Sequence, residues 1–282
     1  MGSLTRVARR AVRVATFSAL AGVGVGTPVH AASAQRVLTV VANDTALVAA
    51  PTMIAGLATL RLVLQGPKRR DLVIRRIPAG SAPEMFVRGA AGRTERWFTL
   101  STFGGPAVPR DSMTEATAIV DLRPGRYALV SYEVDASGRP QGDKYLWRMV
   151  TAIAASVLIP ARFGQADVSV KVKDARVELT GTARPGQRVI QVENAGARPH
   201  ELIIGRLKPG KSLADVQRWN RDKGEPAPFV YVGGLTPMAS GVTAQTRVVL
   251  QTGMHVVLCA MRSEHARAPD HELGVAATFN VN

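Results

Sequence analysis

The 282-residue sequence predicts an all-β chain of two tandem Greek-key β-sandwiches, with a short helix in the second. Three observations predict it. Short β-branched and apolar runs, punctuated by Gly, Pro and Asp, fill most of the chain. Helical periodicity is clear in one place. A set of landmarks in the first half returns, in order, in the second.

The first-half strands are expected at Arg36–Val41, Thr59–Leu64, Leu72–Arg76, Ala118–Leu122 and Tyr127–Val134. In the second half they are expected at Val168–Val172, Arg188–Val192, Leu202–Ile204, Arg247–Leu250, His255–Ala260 and Ala276–Val281. The helix is expected over Leu213–Lys223: Ser212 can cap it, and Leu213, Val216 and Trp219 share one face.

The repeat is legible without an alignment. The stretch from Gly66 to Ile77 lies on Gly196 to Leu207 without a gap. Gly104-Gly105 falls on Gly233-Gly234, Leu122 to Gly125 on Leu250 to Gly253, and Ser131 on Cys259. The offset stays near about 130 residues, the size of an ordinary β domain and far longer than a solenoid repeat. The expected boundaries are residues 35–160 and 167–282, joined by a linker around Pro160–Ala166. The glycine pairs are expected to serve turns.

Residues 1–34 have the layout of a secretory signal peptide. Arg6, Arg9, Arg10 and Arg13 precede the weakly apolar stretch Val14–Val25, and small-x-small cleavage sites follow near Ala32 and Ala34. A periplasmic or secreted, soluble protein is therefore expected, since no later segment reads as a membrane helix. The charge is +15; without the four leader arginines, the 36 basic residues fall by four against 21 acidic ones, about +11. Basic residues are dispersed and aromatics few, so no nucleic-acid partner is expected. Lys68, Arg69, Arg70, Arg75 and Arg76 read as a solvated basic edge. No nucleophile elbow, phosphate loop or His-Glu-x-x-His is present, and an enzyme ranks below a binding role.

A single cysteine, Cys259, cannot form an internal disulfide. It is either buried packing or a metal ligand. Asn194-Ala195-Gly196-Ala197-Arg198-Pro199-His200 follows an apolar strand. Later come Gly253, Cys259 at a strand end, and His271-Glu272-Leu273-Gly274-Val275 before the last strand. Over roughly Asp167–Asn282 this resembles the cupredoxin (blue copper) family, with the first half a degenerate second copy. The resemblance implies one copper ion held by His200, Cys259 and His271, a set in which thiolate and imidazole favour copper. His265 and Met261, in the long Ala260–Asp270 loop, are alternates, and Val275 stands at the usual axial methionine position. Each residue also has a plain role: His200 pairing with Glu201 or a carbonyl, His271 solvated beside Asp270 and Glu272, Cys259 as packing. Arg70 and Ser131 replace His200 and Cys259 in the first half, which is not expected to bind copper. Five histidines, one in the leader, cannot build a multicopper oxidase's trinuclear centre. Two functions follow: electron transfer or copper holding, or a metal-free module meeting an unidentified protein partner of the cell envelope through the helix-bearing segment Pro209–Gly234.

Overall fold

Alternation sets the strands. In Val168–Lys173 every second side chain is buried, and Arg36–Ala42 shows the same period of two. The computed structural model describes residues 36–88, 102–109, 113–155, 162–262 and 268–282, apart from the side chains of 142, 143 and 222. The expected leader and His265 lie outside these residues, as does the start of the expected linker.

The first half supplies β1 (Arg36–Ala42), β2 (Leu47–Val48), β3 (Thr52–Ile54), β4 (Gly56–Leu64), β5 (Arg70–Ile77), α1 (Glu84–Arg88), β6 (Pro106–Ala107), β7 (Glu115–Leu122), β8 (Gly125–Val134) and β9 (Pro140–Ile153). The second supplies β10 (Val168–Lys173), β11 (Arg176–Gly181), β12 (Gly186–Asn194), β13 (His200–Leu207), α2 (Leu213–Arg218), β14 (Phe229–Met238), β15 (Thr243–Leu250), β16 (Gly253–Leu258) and β17 (Ala276–Val281). Among the described residues no helix is long and apolar enough to cross a membrane.

The halves repeat one topology. β1 runs parallel to β4 as β10 runs parallel to β12. β4 pairs antiparallel with β7 as β12 does with β15, β5 with β8 as β13 with β16, and β8 with β9 as β16 with β17. They are not separate bodies, however. β15 pairs with β7, Ala244 facing Val120, so one eight-stranded sheet runs β11-β10-β12-β15-β7-β4-β1-β2 through both halves. A four-stranded sheet, β3-β9-β8-β5, and a five-stranded one, β17-β16-β13-β14-β6, complete the sandwiches. Leu60, Leu62 and Val120 of the shared sheet form one core with Leu72 and Leu129 of the first half and Ile190, Ile204 and Val257 of the second.

The helix is shorter than its periodicity suggests. α2 ends at Arg218, and a 3-10 turn spans Arg221–Lys223. Ser212 caps it in a full capping box with Asp215. Val216 and Trp219 are buried against Ile203, Val256 and Leu258. The segment after α2 is not all loop, since Phe229–Gly234 belongs to β14.

The glycine pairs do not make turns. A Cβ on Gly105 would overlap the carbonyl oxygen of Leu72, and one on Gly234 that of Leu202. Each lets a strand pass close over the equivalent residue of its own half. Thr236 ties the two halves there: its hydroxyl accepts from Gly105 N (2.7 Å) and donates to Leu72 O (2.9 Å). The basic edge is not solvated throughout either. Arg70 and Arg75 are 3% and 1% exposed, on opposite faces of β5, both of which are covered. Arg75 donates to Phe86 O at 3.0 Å, and Arg70 lies beside Glu133.

Gly234 combines a φ of 153° with that close approach. Gly234→Ala is expected to destabilise the chain by about 2 kcal/mol or more. Urea unfolding measures this; a loss under about 0.5 kcal/mol would remove the close-crossing account.

His255 of β16 is fully buried against Phe279. Burial holds its pKa below the ordinary 6.5; the Gly253 carbonyl opposes this and Arg206 adds to it. The folded value lies below the unfolded one, so stability present above the unfolded value is lost as pH falls through the folded one. The urea midpoint should therefore drop between about pH 7.5 and about pH 5.5, and His255→Leu should flatten that drop. Equal slopes in the two proteins would contradict the assignment.

Candidate metal centre

The repeat places the site at strand ends. His200 opens β13, Cys259 follows the last residue of β16, Asp174 follows β10, and Asp270 and His271 precede β17. In the first half Leu72 faces Ser131 across β5 and β8. In the second, Ile203 faces Leu258, a register that continues toward Leu202 and Cys259.

Asn194 shapes the loop that delivers His200. Its side-chain amide donates to Arg198 O and Met238 O, both at 2.8 Å, and its oxygen accepts from Gly196 N at 3.0 Å. Gly196 is required for space: a Cβ there would lie 2.5 Å from Asp174 Oδ1 and 2.9 Å from His200 Nε2. Beyond the site, Glu201 and Arg221 brace the strand end. Glu201 accepts from Ala260 N (3.3 Å) and Arg221 (3.0 Å), while Arg221 donates to Ala260 O (2.7 Å).

Among the described residues, one group of His, Cys and acidic side chains brings its ligand atoms within 4.8 Å of one another: His200, Cys259 and Asp270. All are buried, at 0%, 0% and 1% exposure. The His200 ring stands between two carboxylates: Nε2 meets Asp174 Oδ1 at 3.1 Å, and Nδ1 stands 3.0 Å from Asp270 Oδ2. The second approach is close in distance, yet among the described residues Nδ1 makes no hydrogen bond within geometric limits. When the ring carries a single proton, on Nε2 toward Asp174, Nδ1 is an acceptor beside a carboxylate oxygen, an approach that a second ring proton or a bound cation would relieve. A metal-bound histidine held through its other nitrogen by a carboxylate has this arrangement.

Cys259 Sγ lies 3.4 Å from Asp270 Oδ2, and its backbone N–H donates to Val275 O at 3.0 Å. Burial pushes the thiol well above its ordinary pKa, and Asp270 and Glu201 add to the rise. Burial would also raise Asp174, but the Ala197 N–H, the His200 ring and the Arg198 N–H outweigh it and hold that carboxyl below its ordinary value. Arg198 covers the group from outside, Nη1 lying 3.2 Å from Asp270 Oδ1 and Nη2 donating to Asp174 O at 3.1 Å.

His271 is fully buried, not solvated. Its Nε2 donates to Trp219 O at 2.8 Å, its ring packs on Trp219, and Nδ1 has no hydrogen bond within geometric limits. It adjoins Asp270 in sequence but is not one of the three residues whose ligand atoms converge. Burial holds its pKa low; the Trp219 carbonyl opposes this and Arg221 adds to it. Met261 is in the core, with its carbonyl accepting from Asp270 N (2.8 Å), and Val275 is buried. The carboxylates Asp270 and Asp174 were not singled out by sequence. For Asp174 the repeat held a signal: Asp44 precedes Gly66 by the spacing at which Asp174 precedes Gly196, and both aspartates crowd their glycine.

The first half shows the same place filled differently. Arg70, at the His200 position, points Nη1 toward Ser131 O (3.5 Å) and Nη2 toward Glu133 (3.8 Å), with Asp44 near. A guanidinium supplies the positive charge there.

No protein-family model matches the chain, and no curated protein does. Solved structures do. Auracyanin from the photosynthetic bacterium Roseiflexus castenholzii is 17% identical, with 40% of this chain and 94% of that one covered, at a TM-score of 0.30. Copper nitrite reductase from Nitrosomonas europaea is 11% identical over 87% of this chain and 93% of that one, at 0.25. A multi-copper oxidase from Pediococcus acidilactici is 11% identical over 88% and 59%, at 0.25. TM-scores this low carry no inference about the site. The class the chain itself defines is a duplicated all-β protein of two fused sandwiches. Within it, a buried imidazole–thiol–carboxylate group, His200, Cys259 and Asp270, can hold a metal ion.

The hydrogen bonds place a proton on Nε2 of both His200 and His271. Two-bond nitrogen–proton correlation spectra of the metal-free protein should show this for His200, and Gly196→Ala should disturb it by displacing Asp174. An Nδ1–H signal for His200 would reverse the assignment.

Proposed function

We propose that this is an exported protein that holds one copper ion through His200 Nδ1 and Cys259 Sγ, with Asp270 as a third donor and His271 beside it. The observation that carries the proposal is the His200 ring, fixed by Asp174 through Nε2 and presenting an unbonded buried Nδ1 to a carboxylate and a thiol. Imidazole and thiol suit copper, and the bound ion would supply a one-electron couple. The burial of every donor favours holding the metal over rapid exchange of electrons with a partner. The leader-like residues 1–34 support a periplasmic or secreted location, where an unpaired thiol needs protection or a ligand. An accessory protein partner belongs to this proposal.

A second reading is a metal-free module of the cell envelope, and one observation favours it. Asp270 already receives Arg198 and the Cys259 thiol, so its charge is partly met without a metal. The segment Pro209–Pro228, bearing α2, would then be the surface that meets a partner.

Copper titration of the purified chain separates the two. One equivalent should bind and give a thiolate-to-copper absorption band that is lost in Cys259→Ser. Asp174→Asn should weaken binding by about 10- to 100-fold. The melting temperature should rise with free copper, because a ligand of the native state stabilises it. Absence of binding, with the melting temperature unmoved, would leave the metal-free module.

A further inference from the structure

We propose that Arg198 is the gate of the buried centre, a resident cation that closes the site when no metal is present and must leave Asp270 for a metal to enter. This rests on the metal-holding function proposed above and deepens it by naming what controls access.

The case begins with burial. His200, Cys259, Asp270 and His271 are all at or below 1% exposure, so no donor can meet a solvated ion directly. Two side chains that touch the group reach solvent: Arg198, 18% exposed, and Asp174, 40% exposed. Entry from this side passes between them. Arg198 spans that gap: Nη1 lies 3.2 Å from Asp270 Oδ1, Nη2 donates to Asp174 O at 3.1 Å, and Nε lies 3.7 Å from Asp174 Oδ1. The guanidinium is therefore both plug and counter-charge.

The second step is competition. Asp270 uses Oδ1 for Arg198 and turns Oδ2 toward His200 Nδ1 and Cys259 Sγ. A metal bound by those three donors and the Arg198 charge favour the same carboxylate from opposite sides. Placing a second cation on a buried carboxylate is unfavourable at such distances, so the metal weakens the Arg198 contact and Arg198 weakens the metal's. Arg198 is long and reaches solvent at its edge, so it can swing outward while its backbone N–H stays on Asp174 Oδ1 at 3.1 Å.

The first half shows the limiting case of the same device. There Arg70 is only 3% exposed and stands at the His200 position, among Ser131, Glu133 and Asp44. In that half the cation occupies the donor's place; in the second it stands one shell outward and can be displaced.

The test uses the full chain as wild type, Arg198→Ala and Arg198→Met, the last keeping bulk without charge. In the metal-free protein, the rate at which Cys259 reacts with a small aromatic disulfide reports the gate without any metal. Arg198→Ala should react faster by roughly 10- to 100-fold, the scale of a lost charge-assisted hydrogen bond. The rate should also be independent of low urea, which marks a local opening and not global unfolding. On adding copper to the metal-free protein, uptake should speed up in Arg198→Ala, with Arg198→Met between it and wild type. If wild type binds copper and both rates in Arg198→Ala stay within about twofold of it, the gate is overturned while the metal centre stands. If no protein binds copper, the metal-holding function fails; the thiol rates then decide alone whether Arg198 closes the path.

Discussion

The site depends on one electrostatic constraint: a histidine ring held by a carboxylate at one nitrogen stands with its other nitrogen beside a second carboxylate. Asp174 fixes His200, and Asp270 lies 3.0 Å from the free nitrogen. Everything nearby answers that arrangement. Gly196 leaves room for it, Asn194 holds the loop that delivers it, and Cys259 brings a soft donor to the same point. Arg198 supplies the positive charge that the arrangement lacks when no metal is bound.

That constraint is met by parts from four separate strand ends, and the sandwich is what makes this possible. Residues on β10, β13, β16 and the approach to β17 lie far apart in sequence, yet the β10–β12 and β13–β16 pairings hold their ends together. The Glu201–Arg221 pair then pins the chain just past Cys259, so the thiol's position is set by packing from two directions.

Much of this was legible in the sequence. β1 and β10 alternate strongly, β4, β8 and β17 are apolar or β-branched runs, and the structure gives all five within a few residues. β9 was missed because its polar residues, Gln141, Lys144 and Arg148, blur the period; Arg148 in fact donates inward, to Ala49 O. β14 was missed because Gly233, Gly234 and Pro237 read as a turn, whereas the glycines there serve a close crossing. The convergence of His200 with Cys259 was expected from the family resemblance. Asp270 could not, because a lone acid in a loop has no local signature and its value comes from what folding brings to it. Arg70 and Arg75 mislead in the same way, since charge suggests solvent whereas both faces of β5 are covered.

The ladder between β7 and β15 has a consequence for how such a molecule came to be and how it can come apart. Once two copies of a domain are stitched through a shared run of backbone hydrogen bonds, neither retains a finished border of its own. A cut near residue 160 would not release two miniature proteins; it would bare a raw strand on each, inviting self-association. The duplication is thus bound into a partnership in which the copy with Arg70 and Ser131 at the ligand positions is the flank on which the other is built.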